Sequence, residues 1–219
     1  MSTPPPSTPV PAPAHRSGRR AGRRKTDVLQ AAVRVLAERG AEGTRFQDVS
    51  AASGVPVSTL QYYFGSREDL LIAAFKHASE TETARLHEEL AQVPDPWDRL
   101  VRIIETVLEG CRPEAPESGR VWIESWRYGM RDEEMRQDVL RDYNAWRTLI
   151  AAAIRAGMDS GAFASGDPEP DAIVILSLLD GIGLPTALGD PAVSMARARE
   201  LMLGTMARLL EPTAVRRVR

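Results

Sequence analysis

Cysteine, histidine and aromatic residues are scarce in this 219-residue chain, and each scarcity removes a class of function. The single cysteine, Cys111, cannot close an internal disulfide. The histidines, His15, His77 and His87, form no set with zinc-ligand spacing. No nucleophile motif or phosphate-cradling glycine loop accompanies them, so an all-helical enzyme remains a rival without visible machinery, and no cofactor or metal is expected. No run approaches the roughly 18 apolar residues of a membrane span. The Pro-rich start has no apolar stretch of the kind a signal peptide needs, so a cytoplasmic location is expected. Convincing strand alternation and fixed-period repeats are both missing.

What is present is an ordinary proportion of apolar and charged residues, 43% and 26%, with a net charge of −2. The charge is unevenly placed: residues 1–64 carry nine Lys/Arg against four Asp/Glu, and the remainder nineteen against twenty-six. The N-terminal end therefore favours polyanions. Residues 1–22 turn from Pro-rich to Arg-rich, a composition that buries too little apolar area to offset its ordering entropy, so a disordered arm is expected. Arg16, Arg19, Arg20, Arg23, Arg24 and Lys25 stand just before the first helix. There an arm lies along phosphates or reaches a minor groove, and a solubility tail fits the composition equally well.

Beyond the arm, helical periodicity dominates the chain. Val28, Ala31, Ala32, Val35 and Leu36 give one apolar face, with Thr26 or Asp27 as N-cap and Gly40 as stop. Thr44 fits the N-cap of a second helix to about Ser53. Gly54 permits the positive φ of a tight turn, and a third helix runs from near Ser58 to Phe64-Gly65. Phe46, Val49, Val55, Val57 and Leu60 suit one small core. Outward, Ser58, Thr59, Gln61, Tyr62 and Tyr63 offer hydroxyls, an amide and flat rings to base edges and phosphates. Ser66 and Asp69 resemble a capping box that opens a long helix to about Leu90. Later helices are expected from Pro96 through Leu108, and over 118–130, 132–160, 168–188 and 191–210, separated by Gly/Asp/Pro breaks.

The residues Gly54-Val55, Leu60, Tyr62, Tyr63, Phe64, Ser66, Arg67 and Leu70 resemble the motif that closes the helix-turn-helix of the TetR family of bacterial repressors. The likeness is sequence-specific over about residues 27–75 and holds for the whole chain in layout. Gln61 stands where many members have Tyr, and Pro56-Val57 where Ser-Lys is more frequent, so the operator bases do not carry over. The resemblance implies an all-α fold of about nine helices. After the arm (1–22) come a three-helix DNA-binding domain (23–70), a ligand-binding and dimerisation domain (71–211) and a basic tail (212–219). It implies a homodimer on double-stranded operator DNA, released by a small-molecule effector. Ser58, Gln61 and Tyr62 would meet bases, Thr44, Tyr63 and Arg67 mainly phosphates, and Val57 and Thr59 belong to the same surface. A pure protein-binding adaptor is the other rival, and the polar and aromatic third helix argues against it.

Two further sites are expected in the C-terminal region. Trp122, Trp126, Tyr128, Tyr143 and Trp146, with Trp97, Met130, Phe163 and Cys111 from the same region, are the kind of lining small-molecule pockets have. Glu124, Asp142, Asn144 and Asp180 are candidate polar contacts. The run WIESWRYGM and the later Tyr143, Trp146 and Leu179-Asp180-Gly181 resemble the betaine-pathway repressors within the family, and an aromatic cage with a carboxylate suits a cationic or amphipathic effector. Ile173, Leu176, Leu179 and Ile182, with Leu201, Met202, Met206 and Leu209, give the last two helices broad apolar faces. Periodicity alone fits intrachain core as well. The resemblance favours a four-helix dimer interface instead.

Overall fold

Residues 15–112 and 117–213 are described by a computed structural model, and among them there is no strand, only an isolated bridge between Phe163 and Pro212. Four helices build the N-terminal part: α1 (His15–Gly43), α2 (Phe46–Ser53), α3 (Val57–Phe64) and α4 (Arg67–Ala91). Five more follow among the described residues: α5 (Pro96–Gly110), α6 (Glu117–Gly129), α7 (Glu133–Asp159), α8 (Pro168–Ala187) and α9 (Met195–Leu210).

The first helix departs from expectation at its start. It reaches back to His15 instead of beginning at Thr26 or Asp27, so residues 15–22 of the expected arm are helical. Arg and Ala are strong helix formers and no proline lies between Pro13 and Pro56, so the helix continues there despite Gly18 and Gly22. Residues 1–14 of that arm and 214–219 of the expected basic tail lie outside the described residues. The stop is where it was expected: Gly40 leaves helical geometry at φ 69°, ψ 172°. The α8–α9 junction also differs, because a 3₁₀ turn over Pro191–Val193 comes first and Ser194 caps α9.

Gly54 (φ 68°) turns α2 into α3 in the left-handed region, as its position between two short helices requires. The capping box at α4 is present with Asp in place of Glu: Asp69 N–H donates to Ser66 Oγ at 3.0 Å and Ser66 N–H to Asp69 Oδ2 at 3.2 Å.

Apolar residues segregate into two clusters. One, around Val28, Leu36, Val49, Leu60, Leu70 and Phe75, binds α1–α4 together and is completed by Val121 of α6 and Met135 of α7. The other, around Leu86, Leu100, Ile104, Ile154, Leu179 and Met206, joins the far end of α4 to α5, α7, α8 and α9. Helix α4 thus has one end in each cluster, while α6 packs on α1, α4, α5 and α7. Helix α8 is apolar on all sides, with a mean hydropathy of 1.3, and by length and composition it alone among the described residues reaches that of a membrane span, against the expectation that none would. One such helix is weak evidence of a span: Leu176 and Leu179 lie in the core while Ile173, Val174, Leu184 and Leu188 face outward.

Candidate DNA-reading surface and effector cavity

The third helix is eight residues long and holds its inner side with two anchors, Leu60 and Phe64, both buried. That leaves Ser58, Gln61 and Tyr62 exposed and Val57, Thr59 and Tyr63 half-buried around them. Tyr62 is 86% exposed, an unusual degree for an aromatic ring, with Tyr63 beside it at 6.1 Å between centroids. Six of the eight expected DNA contacts therefore share one short helix.

The other two have structural duties. Thr44 is fully buried and its hydroxyl donates to Gly40 O at 2.8 Å. It does not cap α2 either: Arg45 occupies that position and donates its N–H to Asp48 Oδ2 at 3.1 Å. Arg67 donates from Nε to Thr44 O at 2.7 Å and from its Nη2 to Ala41 O, so the guanidinium fastens the end of α1 to the start of α4 and is not free for phosphate. The exposed Arg45 at the α2 N-terminus is a basic group that sequence reasoning passed over. Its place beside a helix start with unsatisfied N–H groups was the available signal.

Between α4, α5, α6, α7 and α8 lies a cavity of about 100 Å³. Trp122, Tyr143 and Trp146 line it, with Phe75, Cys111 and Asp142. Trp126 stands behind, its ring 4.3 Å from Trp122 and 5.5 Å from Tyr143 between centroids. Asp180 sits beneath: Tyr143 donates its hydroxyl to Oδ2, while Oδ1 is buried with no hydrogen-bond partner among the described residues. Burial raises this carboxyl from its ordinary 3.8 to about 7. Burial, with the Asp180 charge nearby, also pushes the Cys111 thiol up to about 11, which keeps it protonated and unreactive. Asp142 is raised by burial too, against a hydrogen bond from Ser79 that lowers it.

Several expected ligand contacts lie elsewhere. Tyr128 packs on Phe75 at 6.1 Å within the N-terminal cluster. Trp97 and Phe163 meet edge-on at 6.3 Å in the C-terminal core. Met130 and Asn144 face outward, and Glu124 turns away from the cavity to accept the Ala41 N–H at 3.0 Å. Spacing along α6 explains the last case, since position 124 is two residues from both Trp122 and Trp126 and so faces the opposite side of the helix.

The expected dimer residues divide in the same way. Leu176, Leu179, Met202 and Met206 are buried in the chain's own core, and Ile182 and Leu209 pack partly against it. Ile173 and Leu201 are exposed at 49% and 37%, and Val174, Leu184 and Leu188, which were not expected, are exposed at 44%, 58% and 77%. A helix apolar on every side has no periodicity to say which side meets its own core.

Comparison with known proteins bears on the family and the fold. Residues 28–74 match the family model of bacterial regulatory proteins of the tetR family, and residues 96–211 that of the BetI-type transcriptional repressor C-terminal domain. The HTH-type transcriptional regulator BetI of Vibrio campbellii is 25% identical over 82% of this chain and 88% of its own length. PksA of Bacillus subtilis, another HTH-type transcriptional regulator, is 23% identical over 83% and 87%. Among solved structures, a putative transcriptional regulator from Saccharomonospora viridis in complex with choline superposes with a TM-score of 0.75 at 27% identity, over 86% of this chain and 96% of that one. This chain therefore belongs to the TetR family, in its BetI-type branch, as a ligand-responsive DNA-binding transcriptional regulator and not an enzyme.

Proposed function

We propose that the protein is a cytoplasmic homodimeric repressor whose two α3 helices enter successive major grooves of an operator, and that a small cation bearing an alkylammonium group releases it. The cavity carries the effector half of this reading: Trp122, Tyr143 and Trp146 line it, and Tyr143 is hydrogen-bonded to Asp180, whose other carboxylate oxygen is buried without a partner among the described residues. A cation satisfies the carboxylate while the ring faces attract it. The mainly aromatic and apolar lining with the Asp142 carboxyl suits a small amphipathic cation. The choline bound by the Saccharomonospora viridis relative has this chemistry.

For the reader, Ser58, Gln61 and Tyr62 are assigned to base edges and Val57, Thr59 and Tyr63 to the surrounding backbone, with Arg45 replacing Thr44 and Arg67 at phosphates. The basic stretch before Val28, with Arg16, Arg19, Arg20, Arg23, Arg24 and Lys25, adds phosphate contacts. A mobility-shift assay on duplexes flanking the protein's own gene tests the whole reading. One duplex is retained, choline releases it, and removal of residues 1–24 lowers the slope of log affinity against log salt. Indifference to every such duplex sinks the proposal, and retention unaffected by choline sinks the effector class.

The partner face is assigned to Ile173, Val174 and Leu184 of α8, Leu188 at its C-cap and Leu201 of α9, apolar side chains left exposed on one chain. Burying them against a second copy forms a bundle of α8 and α9 from each chain. Leu184→Glu is expected to yield monomers by sedimentation with the helical circular-dichroism signal retained. A dimer at unchanged concentration dependence contradicts the assignment.

A further inference from the structure

Helix α6 works on two sides. Trp122 and Trp126, one turn apart, face the aromatic cluster around the cavity. On the opposite side Glu124 Oε2 accepts the N–H of Ala41 at 3.0 Å and a bond from Arg127 Nη2 at 3.0 Å. Arg127 Nη1 reaches on to Glu42 Oε1 at 2.8 Å. The carboxylate and guanidinium thus hold the same turn, Gly40–Glu42, at the end of α1.

That turn is built for the contact. Gly40 stands at φ +69°, and a Cβ placed there would lie 3.3 Å from Glu124 Oε2, so a side chain would be strained by its backbone and pressed against the carboxylate. The far side of the turn is held by Arg67, the first residue of α4 and three residues past the end of the reading helix, which donates to Ala41 O and Thr44 O. A hydrogen-bonded path therefore leads from the helix bearing the cavity tryptophans, through one turn of α1, to the junction of α3 and α4. It reaches α4 only at its first residue and does not run along the body of that helix, which both clusters share.

We infer that Glu124, supported by Arg127, is the positioning residue that carries effector occupancy to the DNA-reading helix. The inference rests on the reading of the cavity as the effector site. An occupant that shifts Trp122 and Trp126 turns or slides α6, and the Ala41 N–H then follows Glu124 or loses it. Either response moves the turn on which Arg67 pulls. Charge-assisted bonds to a backbone N–H are directional enough to transmit such a displacement, and coupling between sites needs an element both ligands bias.

Reciprocity supplies a test that does not depend on knowing the effector, because DNA binding must act back on the cavity. All four tryptophans lie outside the reader. Adding the operator duplex to the wild-type dimer is expected to change tryptophan emission. Glu124→Ala, which still binds the duplex, is expected to lose that change, and the choline concentration that halves its DNA binding rises at least tenfold while choline quenches its emission at wild-type concentrations. Glu124→Gln, which keeps an acceptor for the Ala41 N–H, recovers at least half of the response. Wild-type emission change and choline release in Glu124→Ala would overturn the inference, as would a wild-type protein whose emission ignores bound operator. Loss of choline quenching in the wild type alone overturns the ligand reading, and the duplex-induced emission still decides the role of Glu124.

Discussion

Replacement of Tyr62 by alanine is expected to lower operator affinity by roughly 30-fold to 10⁴-fold while leaving helix content and dimer mass unchanged. The ring is 86% exposed on a helix whose inner side is already anchored by Leu60 and Phe64, so removing it opens no cavity in the core. A good base contact contributes about 1–3 kcal/mol of affinity, and a symmetric dimer loses it twice, giving about 2–6 kcal/mol. Tyr63 is the control. It is half-buried and its ring meets Phe64 edge-on at 6.3 Å, so Tyr63→Ala is expected to lower thermal stability as well as DNA binding. Fluorescence anisotropy of a labelled operator and circular dichroism measure both effects. A Tyr62→Ala protein that retains wild-type affinity removes α3 from the role of base reader.

Local signals were legible in the sequence where the determinant itself was local. Gly54, the Ser66/Asp69 box, the Gly40 stop of α1 and the apolar spacing of α3 act within one or two turns, and these features lie where expected to within a residue. What escaped was decided by contacts distant along the chain. Glu124 reads as a pocket carboxylate beside two tryptophans until the fold brings Ala41, 83 residues away, to its side. Arg67 reads as a phosphate ligand by family position, yet its donors are taken by carbonyls 23 and 26 residues earlier. Tyr128 follows Trp126 by two residues and so packs into the N-terminal cluster, on the ring of Phe75, and does not line the cavity. Helix α8 shows the opposite failure, an excess of apolar residues, in which Leu176 and Leu179 look like Leu184 and Leu188 until packing separates them. The arm misled for a further reason. Composition predicted disorder across residues 1–22, but the proline-free half from residue 15 has ordinary helix formers.

Asp180→Asn is expected to weaken choline binding by roughly 200-fold at pH 8, and most of the pH dependence of that binding between pH 6 and 8 is expected to go with it. At about 5 Å and an effective dielectric of about 20, a carboxylate and a quaternary nitrogen attract by about 3 kcal/mol. Each tryptophan or tyrosine face contributes about 0.5–2 kcal/mol, so no single ring substitution approaches the loss of the charge. Asparagine keeps the shape and an acceptor for the Tyr143 hydroxyl, which makes the change chiefly electrostatic. Burial holds the Asp180 carboxyl at about 7, far above its ordinary 3.8, so in the empty protein it is largely neutral at pH 6 and largely ionised at pH 8. A cation favours the carboxylate, so choline affinity rises across that interval, and binding below pH 7 expels a proton. The stability of the unliganded chain runs the other way. With the folded value raised, the folded state binds more protons than the unfolded state between pH 3.8 and about 7, and the contribution of this group declines as pH rises through that window. Tryptophan quenching by choline at pH 6 and 8, beside its neutral isostere 3,3-dimethylbutan-1-ol, measures the charge term directly. The wild type is expected to discriminate strongly between the two at pH 8 and less at pH 6, and Asp180→Asn to keep at pH 8 only the smaller preference that the ring faces and Asp142 supply. Equal affinity of the wild type for the charged and neutral compounds at pH 8 would show that the carboxylate beneath Tyr143 serves the fold and not the ligand.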